Sequence, residues 1–506
     1  MNEPHTDDQQ PDQTRRILLR GIAGSALLAA GGGLLHSSIA AASGKDDLTW
    51  MPAWQIRNLI AKKDISPVEV TEHFLNRIEA VGGKLQAFMT LDHAGARQQA
   101  RAAEKALLTG KPIGPLHGIP VSVKDHIAIK GLPKFDIGRL EYIAKSPRDD
   151  VQVERLRKAG AIMFGTNTER GSGGDHPLTP NRQFNWDVEA TNPWDTSRTP
   201  GWSSSGSASA AAACLVPIAI GSDGGGSTRL PAAYCGIVGI AATPGRIPWI
   251  HPGSPTLALS ASTGPLCRDI RDAAIAAQVM SGPDGRDFFS LQDPTPDFLS
   301  DIDNGVKGMR FAWTDDFGYA SMYALEESPR VIAAIRNAAM GFNEIGAQVV
   351  ILNETWEDPS DRLSMLASRA FGGFMRGAAE MPSEEEYLAS VAVRGRNYDK
   401  FMNIFRDHDV ILAPTAQLVA RKIEDWDTAW TKEHEKYPHG NFGATYVSHV
   451  RMFNWLAFPA FNVPAGFVDG LPVGMQIIGR PGSEAKMFRV AYAFLKAFPR
   501  NERPPV

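Results

Sequence analysis

The chain has 506 residues, 43% of them hydrophobic and 21% charged, an ordinary globular composition that excludes a disordered protein. Lysines and arginines number 52 against 56 acids, a formal charge of −4, so no bulk field favours nucleic acid. Three cysteines (Cys214, Cys235, Cys267) are too few for a disulfide framework and read as buried, inert thiols.

Residues 1–13 are polar. Arg15-Arg16 then precede an uncharged stretch, Gly21 to Ala42, that closes on small-x-small sites at Ser38-Ile39-Ala40 and Ala40-Ala41-Ala42. This pattern reads as an export signal over residues 1–42 that resembles the twin-arginine type, cleaved after Ala42. Its apolar core, Gly21 to Leu35, contains five glycines and falls short of the roughly 20 residues a spanning helix needs. The expectation is a periplasmic or secreted protein with no membrane anchor after cleavage.

Ser66-Pro67-Val68-Glu69 predicts a helix start with a capping box, followed by Val70, Phe74 and Ile78 on one face. A second helix is predicted over Ala94 to Leu108. The short apolar run Ile119 to Val123 follows, between prolines and glycines. Helix Val151 to Ala159 feeds strand Ala161 to Phe164, and helix Ser207 to Ala213 feeds strand Leu215 to Ile220. A helix near Ile270 to Val279 comes next. Strands near Met309–Ala312, Gln348–Leu352, Val410–Leu412, Phe461–Val463 and Val473–Ile478 alternate with helical stretches. The alternation predicts an α/β fold: one large domain over residues 46–506, with a mixed, largely parallel sheet between helices. Residues 355–450 have the weakest pattern and read as a variable helical region on the substrate side.

The densest chemical signal lies in residues 199–239. One hydroxyl cluster, Ser203-Ser204-Ser205, follows Pro200-Gly201; a second serine, Ser227, follows Gly224-Gly225-Gly226. Three glycines before a serine let backbone N–H groups converge on one point, as an oxyanion hole requires. Asp223 and Arg229 flank the turn and can lock it by charge-assisted hydrogen bonds. The stretch is not a Gly-x-Ser-x-Gly elbow, because Arg229 stands at the second glycine, and no Gly-Lys-Ser/Thr follows to make a phosphate loop. A serine nucleophile needs a base. None of the twelve histidines sits in a recognisable serine-hydrolase context. Lys124 closes the apolar run from Ile119, where burial would lower its pKa and free an amine to accept a proton. There is no His-Glu-x-x-His, and His434 and His439 are five apart in a polar segment, so no metal is implied. No Gly-x-Gly-x-x-Gly follows a strand, and no dinucleotide or other cofactor is expected.

The segment Thr199 to Gly239 resembles the signature of the amidase signature family, and Gly118 to Asp125 resembles that family's catalytic-lysine motif. Ser66 to Val70, Pro115 to Gly118, Thr166-Asn167, Asn192-Pro193-Trp194, Pro414-Thr415 and Gly470 to Gly479 extend the similarity over roughly residues 47–500. The resemblance implies the family's helix-sandwiched sheet and a seryl acyl-enzyme mechanism with no metal or cofactor. It also implies a Ser–Ser–Lys triad: Ser227 as nucleophile, Ser203 as bridging serine after a cis peptide bond, and Lys124 as base. The N–H groups of Gly224, Gly225, Gly226 and Ser227 would hold the oxyanion, and Ser204 would orient Ser203. The expected reaction is hydrolysis of a carboxamide, the substrate a bulky, aromatic or peptide amide, with activity rising from neutral to alkaline pH. The alternatives are esterase activity with the same triad, a non-catalytic periplasmic binding protein and a subunit of a tRNA-dependent amidotransferase; the export signal argues against the last. Monomeric and dimeric states both occur in the family. Two departures bear on the substrate. Trp202 replaces a glycine of the usual signature and either edges the cleft, favouring a bulky or aromatic amide, or packs on a neighbouring loop. Around residues 135–139 only Gly138 matches the usual cleft-lining segment, and Arg139 there would either meet an anionic substrate or face solvent.

Overall fold

The computed structural model describes residues 45–136, 141–169, 190–249, 260–359, 383–425 and 442–506, and the short strands Gly174–Asp175 and Gln183–Phe184. The segment read as an export signal, Gly138 and Arg139 lie outside these residues.

Eleven strands form one sheet. Its order is Phe88–Leu91, Ile162–Asn167, Pro120–Lys124, Ile218–Asp223, Ser262–Cys267, Val238–Ala241, Ala460–Val468, Leu471–Ile478, Val410–Pro414, Arg310–Trp313 and Gln348–Ile351. The expected mixed sheet with flanking helices is present. Its parallel pairs are confined to two flanks, however: Pro120–Lys124 with both its neighbours, and Arg310–Trp313 with both of its own. The centre is antiparallel. One cause is local. Asp469 and Gly470 take φ of 51° and 76°, the left-handed pair of a two-residue hairpin turn, so Ala460–Val468 folds straight back onto Leu471–Ile478. No crossover helix intervenes there, and parallel pairing is impossible.

The helices start where the sequence places their caps. Ser66 Oγ accepts from Glu69 N at 3.1 Å and Glu69 Oε2 accepts from Ser66 N at 2.9 Å, ahead of helix Pro67–Leu85. Asp92 caps helix His93–Leu108, and Asp269 caps Ile270–Met280. The apolar faces of these helices join one core cluster with the inner strands, including Val70, Phe74, Leu75, Ala96, Ala273 and Ala277. All three cysteines are buried and unpaired.

Helix Ser205–Ala212 has no polar face; every residue in it is buried. Its Gly, Ser and Ala side chains allow close approach to strands on one side and to helix Arg229–Cys235 on the other. Two of its three buried hydroxyls find acceptors: Ser207 Oγ donates to Ile220 O at 3.1 Å and Ser209 Oγ to Thr191 O at 2.8 Å, while Ser205 Oγ has none. Within residues 355–450, helix Glu384–Ile404 matches the helical expectation, and the strand expected at Val410–Leu412 is present as Val410–Pro414, fully buried in the sheet.

Replacing Ser66 with alanine removes one arm of the capping box and should cost about 1 kcal/mol of stability. Urea unfolding of the two proteins checks this, the midpoint falling at unchanged slope; an unmoved midpoint would show that the cap carries no stability.

Candidate active site

Three neighbouring parallel strands bring the chemistry together. Pro120–Lys124 lies between Ile162–Asn167 and Ile218–Asp223, with Lys124 opposite Asn167 and Val123 opposite Ile220. Parallel strands end on the same edge, so Lys124, the turn after Asn167 and the loop after Asp223 all emerge at the carboxyl end, where open α/β sheets place ligand sites. The Ser203 turn arrives at that edge just before the buried helix Ser205–Ala212.

Lys124 is 1% exposed. Its Nζ lies 2.6 Å from Ser203 Oγ, 3.0 Å from Ser222 Oγ and 3.3 Å from Glu169 Oε1. Burial pushes the amine below the usual lysine range, while the carboxylates of Glu169 and Asp223 oppose that shift. Glu169 is itself buried. Burial alone would raise its carboxyl, but contacts with His126 and Lys124 outweigh that and hold it at about 2. Burial also lowers His126, against the opposing pull of the Glu169 carboxylate; its Nδ1 lies 2.7 Å from Glu169 Oε2. Sequence reasoning singled out none of Glu169, His126 or Ser222. The only signal was position: Glu169 follows the matched Thr166-Asn167 pair by two residues, and His126 follows Lys124 by two.

The loop carrying Ser227 is clamped from beneath. Asp223 accepts from the N–H of Gly226 at 2.7 Å, of Thr228 at 3.1 Å and of Arg229 at 3.2 Å, and from Asn454 Nδ2 at 2.8 Å. The Arg229 guanidinium pairs with Asp223 at 3.0 Å and reaches Asn454 Oδ1, Gln476 Oε1 and the Val450 carbonyl. Both partners are fully buried. Burial alone would raise the Asp223 carboxyl, yet Arg229 and these donors hold it at about 2. Gly226 takes φ of 103°, and a Cβ there would meet Val450 Cγ2 at 2.3 Å, so both backbone and space demand glycine.

The geometry revises four sequence expectations. The Gly226 N–H is committed to Asp223, which leaves Gly224, Gly225 and Ser227 as the members of the expected set whose N–H groups have no acceptor among the described residues. Ser204 does not bond Ser203; its hydroxyl donates to Ser222 O at 3.1 Å and its N–H to Ser227 O at 3.3 Å, which ties the two serine turns together. No cis peptide bond occurs among the described residues, so the Trp202–Ser203 bond is trans, and Ser203 Oγ reaches Lys124 from that geometry. Finally, Ser203 and Ser227 flank the same backbone contact, but their hydroxyls share no hydrogen bond. Trp202 is half-buried and packs against a cluster of Leu230, Tyr234, Leu418, Tyr446, Val447 and Val450. Among the described residues no group of three or more His, Cys, Asp or Glu is arranged to hold a metal ion, and no helix is long and apolar enough to cross a membrane.

Arg229→Met would leave Asp223 charged, buried and unpaired. The expected cost is about 3–5 kcal/mol, read by chemical denaturation; a variant as stable as the parent would mean that the clamp is not what holds the loop.

The amidase family model matches residues 69–366 and 365–488. An acylamidase of Rhodococcus erythropolis is 31% identical, with 91% of this chain and 98% of that one aligned. A glutamyl-tRNA(Gln) amidotransferase subunit from Moorella thermoacetica is 31% identical over 91% of this chain and 99% of its own. Among solved structures, a bacterial aryl acylamidase of the amidase signature family superposes with a TM-score of 0.74 at 27% identity, covering 89% of this chain and 96% of that one.

Proposed function

The chain belongs to the amidase signature family and is an amidohydrolase that cleaves carboxamide C–N bonds; on that premise we propose that Ser227 is its nucleophile, Ser203 its proton relay and Lys124 its base. The observation that carries this reading is the 2.6 Å contact between a buried lysine amine and Ser203, beside the clamped Ser227 loop. Neutral Lys124 takes the Ser203 proton while Ser203 takes that of Ser227, whose Oγ attacks the amide carbon. The oxyanion accepts hydrogen bonds from the N–H groups of Gly224, Gly225 and Ser227. As the tetrahedral intermediate collapses, the proton returns through Ser203 to the leaving nitrogen, and the amine departs. Water then attacks the seryl ester by the same relay, releasing the carboxylic acid. The relay requires Ser203 and Ser227 to close to hydrogen-bond distance, a contact of the kind that tightens in a Michaelis complex.

For the substrate we propose a bulky apolar or aromatic acyl amide. The half-buried Trp202 packs on the apolar cluster whose Val450 and Leu230 lie against Gly226, which puts an indole near the Ser227 loop, and the acylamidase relatives named above support the same class. The amidotransferase relative supports a second reading, amide release from glutamine. The paired arginines and uncharged stretch at residues 15–42 support an exported enzyme instead.

The full chain is assayed against aryl acylamides, peptide amides, simple primary amides, glutamine and matching esters, with Ser227→Ala as the blank. Acylamide turnover should exceed glutamine turnover and fall at least about a thousandfold in the variant. Its kcat/KM should rise with pH as Lys124 sheds its proton. Turnover indifferent to the substitution would overturn the triad assignment, and preference for glutamine would overturn the substrate class.

A further inference from the structure

A lysine that accepts a proton has one lone pair and two N–H bonds, and its lone pair must face the donor. Lys124 has three polar neighbours. Ser203 is the nearest and is the donor in the relay. Ser222 Oγ and Glu169 Oε1 take the other two directions, so they can hold both N–H bonds while the lone pair faces Ser203. Glu169 is not free to turn away. Its second oxygen is 2.7 Å from His126 Nδ1, and the His126 ring stacks on Trp249 with centroids 5.2 Å apart and planes inclined by 23°. Glu169, His126 and Trp249 are all buried. No step of the relay consumes or supplies a proton at Glu169, so a neutral acceptor would serve to hold the amine. A carboxylate does something more: it favours the ammonium that forms when Lys124 takes the proton.

We propose that Glu169, fixed by His126 and Trp249, is a positioning residue that aims the Lys124 lone pair at Ser203 and stabilises the ammonium formed during acylation. This rests on Lys124 being the base. The other ionisable groups around the network are Asp223, paired with Arg229, which also acts on Lys124; Asp125, which neighbours Glu169; and Lys134, which acts on His126. None of them contacts Lys124 Nζ directly as Glu169 does.

The test is the titration of Lys124 followed by NMR of lysine labelled with carbon-13 at Cε. It uses the full chain carrying Ser227→Ala, with the signal identified by its loss in Lys124→Ala. Glu169→Gln should lower the Lys124 midpoint by at least about one pH unit, because an opposite charge has been removed at contact distance. Glu169→Asp, which keeps the charge at greater distance, should lower it by less than half as much, and it serves if the glutamine variant does not fold. With Ser227 present, the acid limb of kcat/KM should move to lower pH in step, which a merely structural role would not produce. An unmoved midpoint in Glu169→Gln, or equal shifts in the two variants, would overturn the proposal. The titration needs no turnover, so an enzyme inert toward every amide would sink the proposed function while the midpoint still decides the role of Glu169.

Discussion

Everything at this site depends on one amine being taken out of water. An isolated ammonium in an apolar interior is prohibitively costly, so a buried lysine must be neutral, paired, or able to pass between the two. Lys124 meets that constraint with two hydroxyls and one carboxylate, arranged at the shared end of three parallel strands. The strands supply the geometry because each is buried along its length and cannot slip: a one-residue shift would turn Lys124 to the other face. The same burial that lowers the amine's proton affinity therefore also fixes its position against Ser203.

The Ser227 loop depends on a second, distant part of the chain. Asp223 and Arg229 belong to the Gly/Ser stretch, but their partners outside it are Val450, Asn454 and Gln476, more than 200 residues later. Gln476 stands on the strand Leu471–Ile478 of the Asp469-Gly470 hairpin, and Asn454 on the short helix Arg451–Leu456 just before the hairpin's first strand. The antiparallel centre of the sheet thus has a direct chemical consequence: it carries groups that satisfy a buried guanidinium under the loop of Ser227. A signature loop without this hairpin would leave Arg229 with unmade hydrogen bonds, each costing about 1–3 kcal/mol.

What could be read from the sequence follows from how local each signal is. The capping box at Ser66 and the helices expected over Val151–Ala159 and near Ile270–Val279 are written within a few residues, and helices stand there. Lys124, Ser203 and Ser227 were recognisable because each sits in a motif, and the structure brings Lys124 to Ser203. The mix of parallel and antiparallel pairing was misjudged because helix–strand alternation is blind to a two-residue turn, although Asp469-Gly470 between apolar runs is such a turn. The oxyanion donors were overcounted because three consecutive glycines say nothing about which N–H a neighbouring carboxylate will claim. Glu169 and His126 escaped notice because a lone acid after a strand has no period and no motif; only the fold sets it against a lysine 45 residues earlier.

The account stands on Ser227 being activated through Ser203 by the buried Lys124 amine. The most direct measurement is intact-protein mass spectrometry after exposure to a fluorophosphonate, with the modified residue mapped by peptide sequencing. The account predicts one phosphonyl adduct per chain, located on Ser227. Its formation should accelerate with rising pH and be lost in Lys124→Ala, even though that variant keeps Ser227. An adduct on another residue, or labelling of Ser227 that proceeds equally well without Lys124, would contradict it.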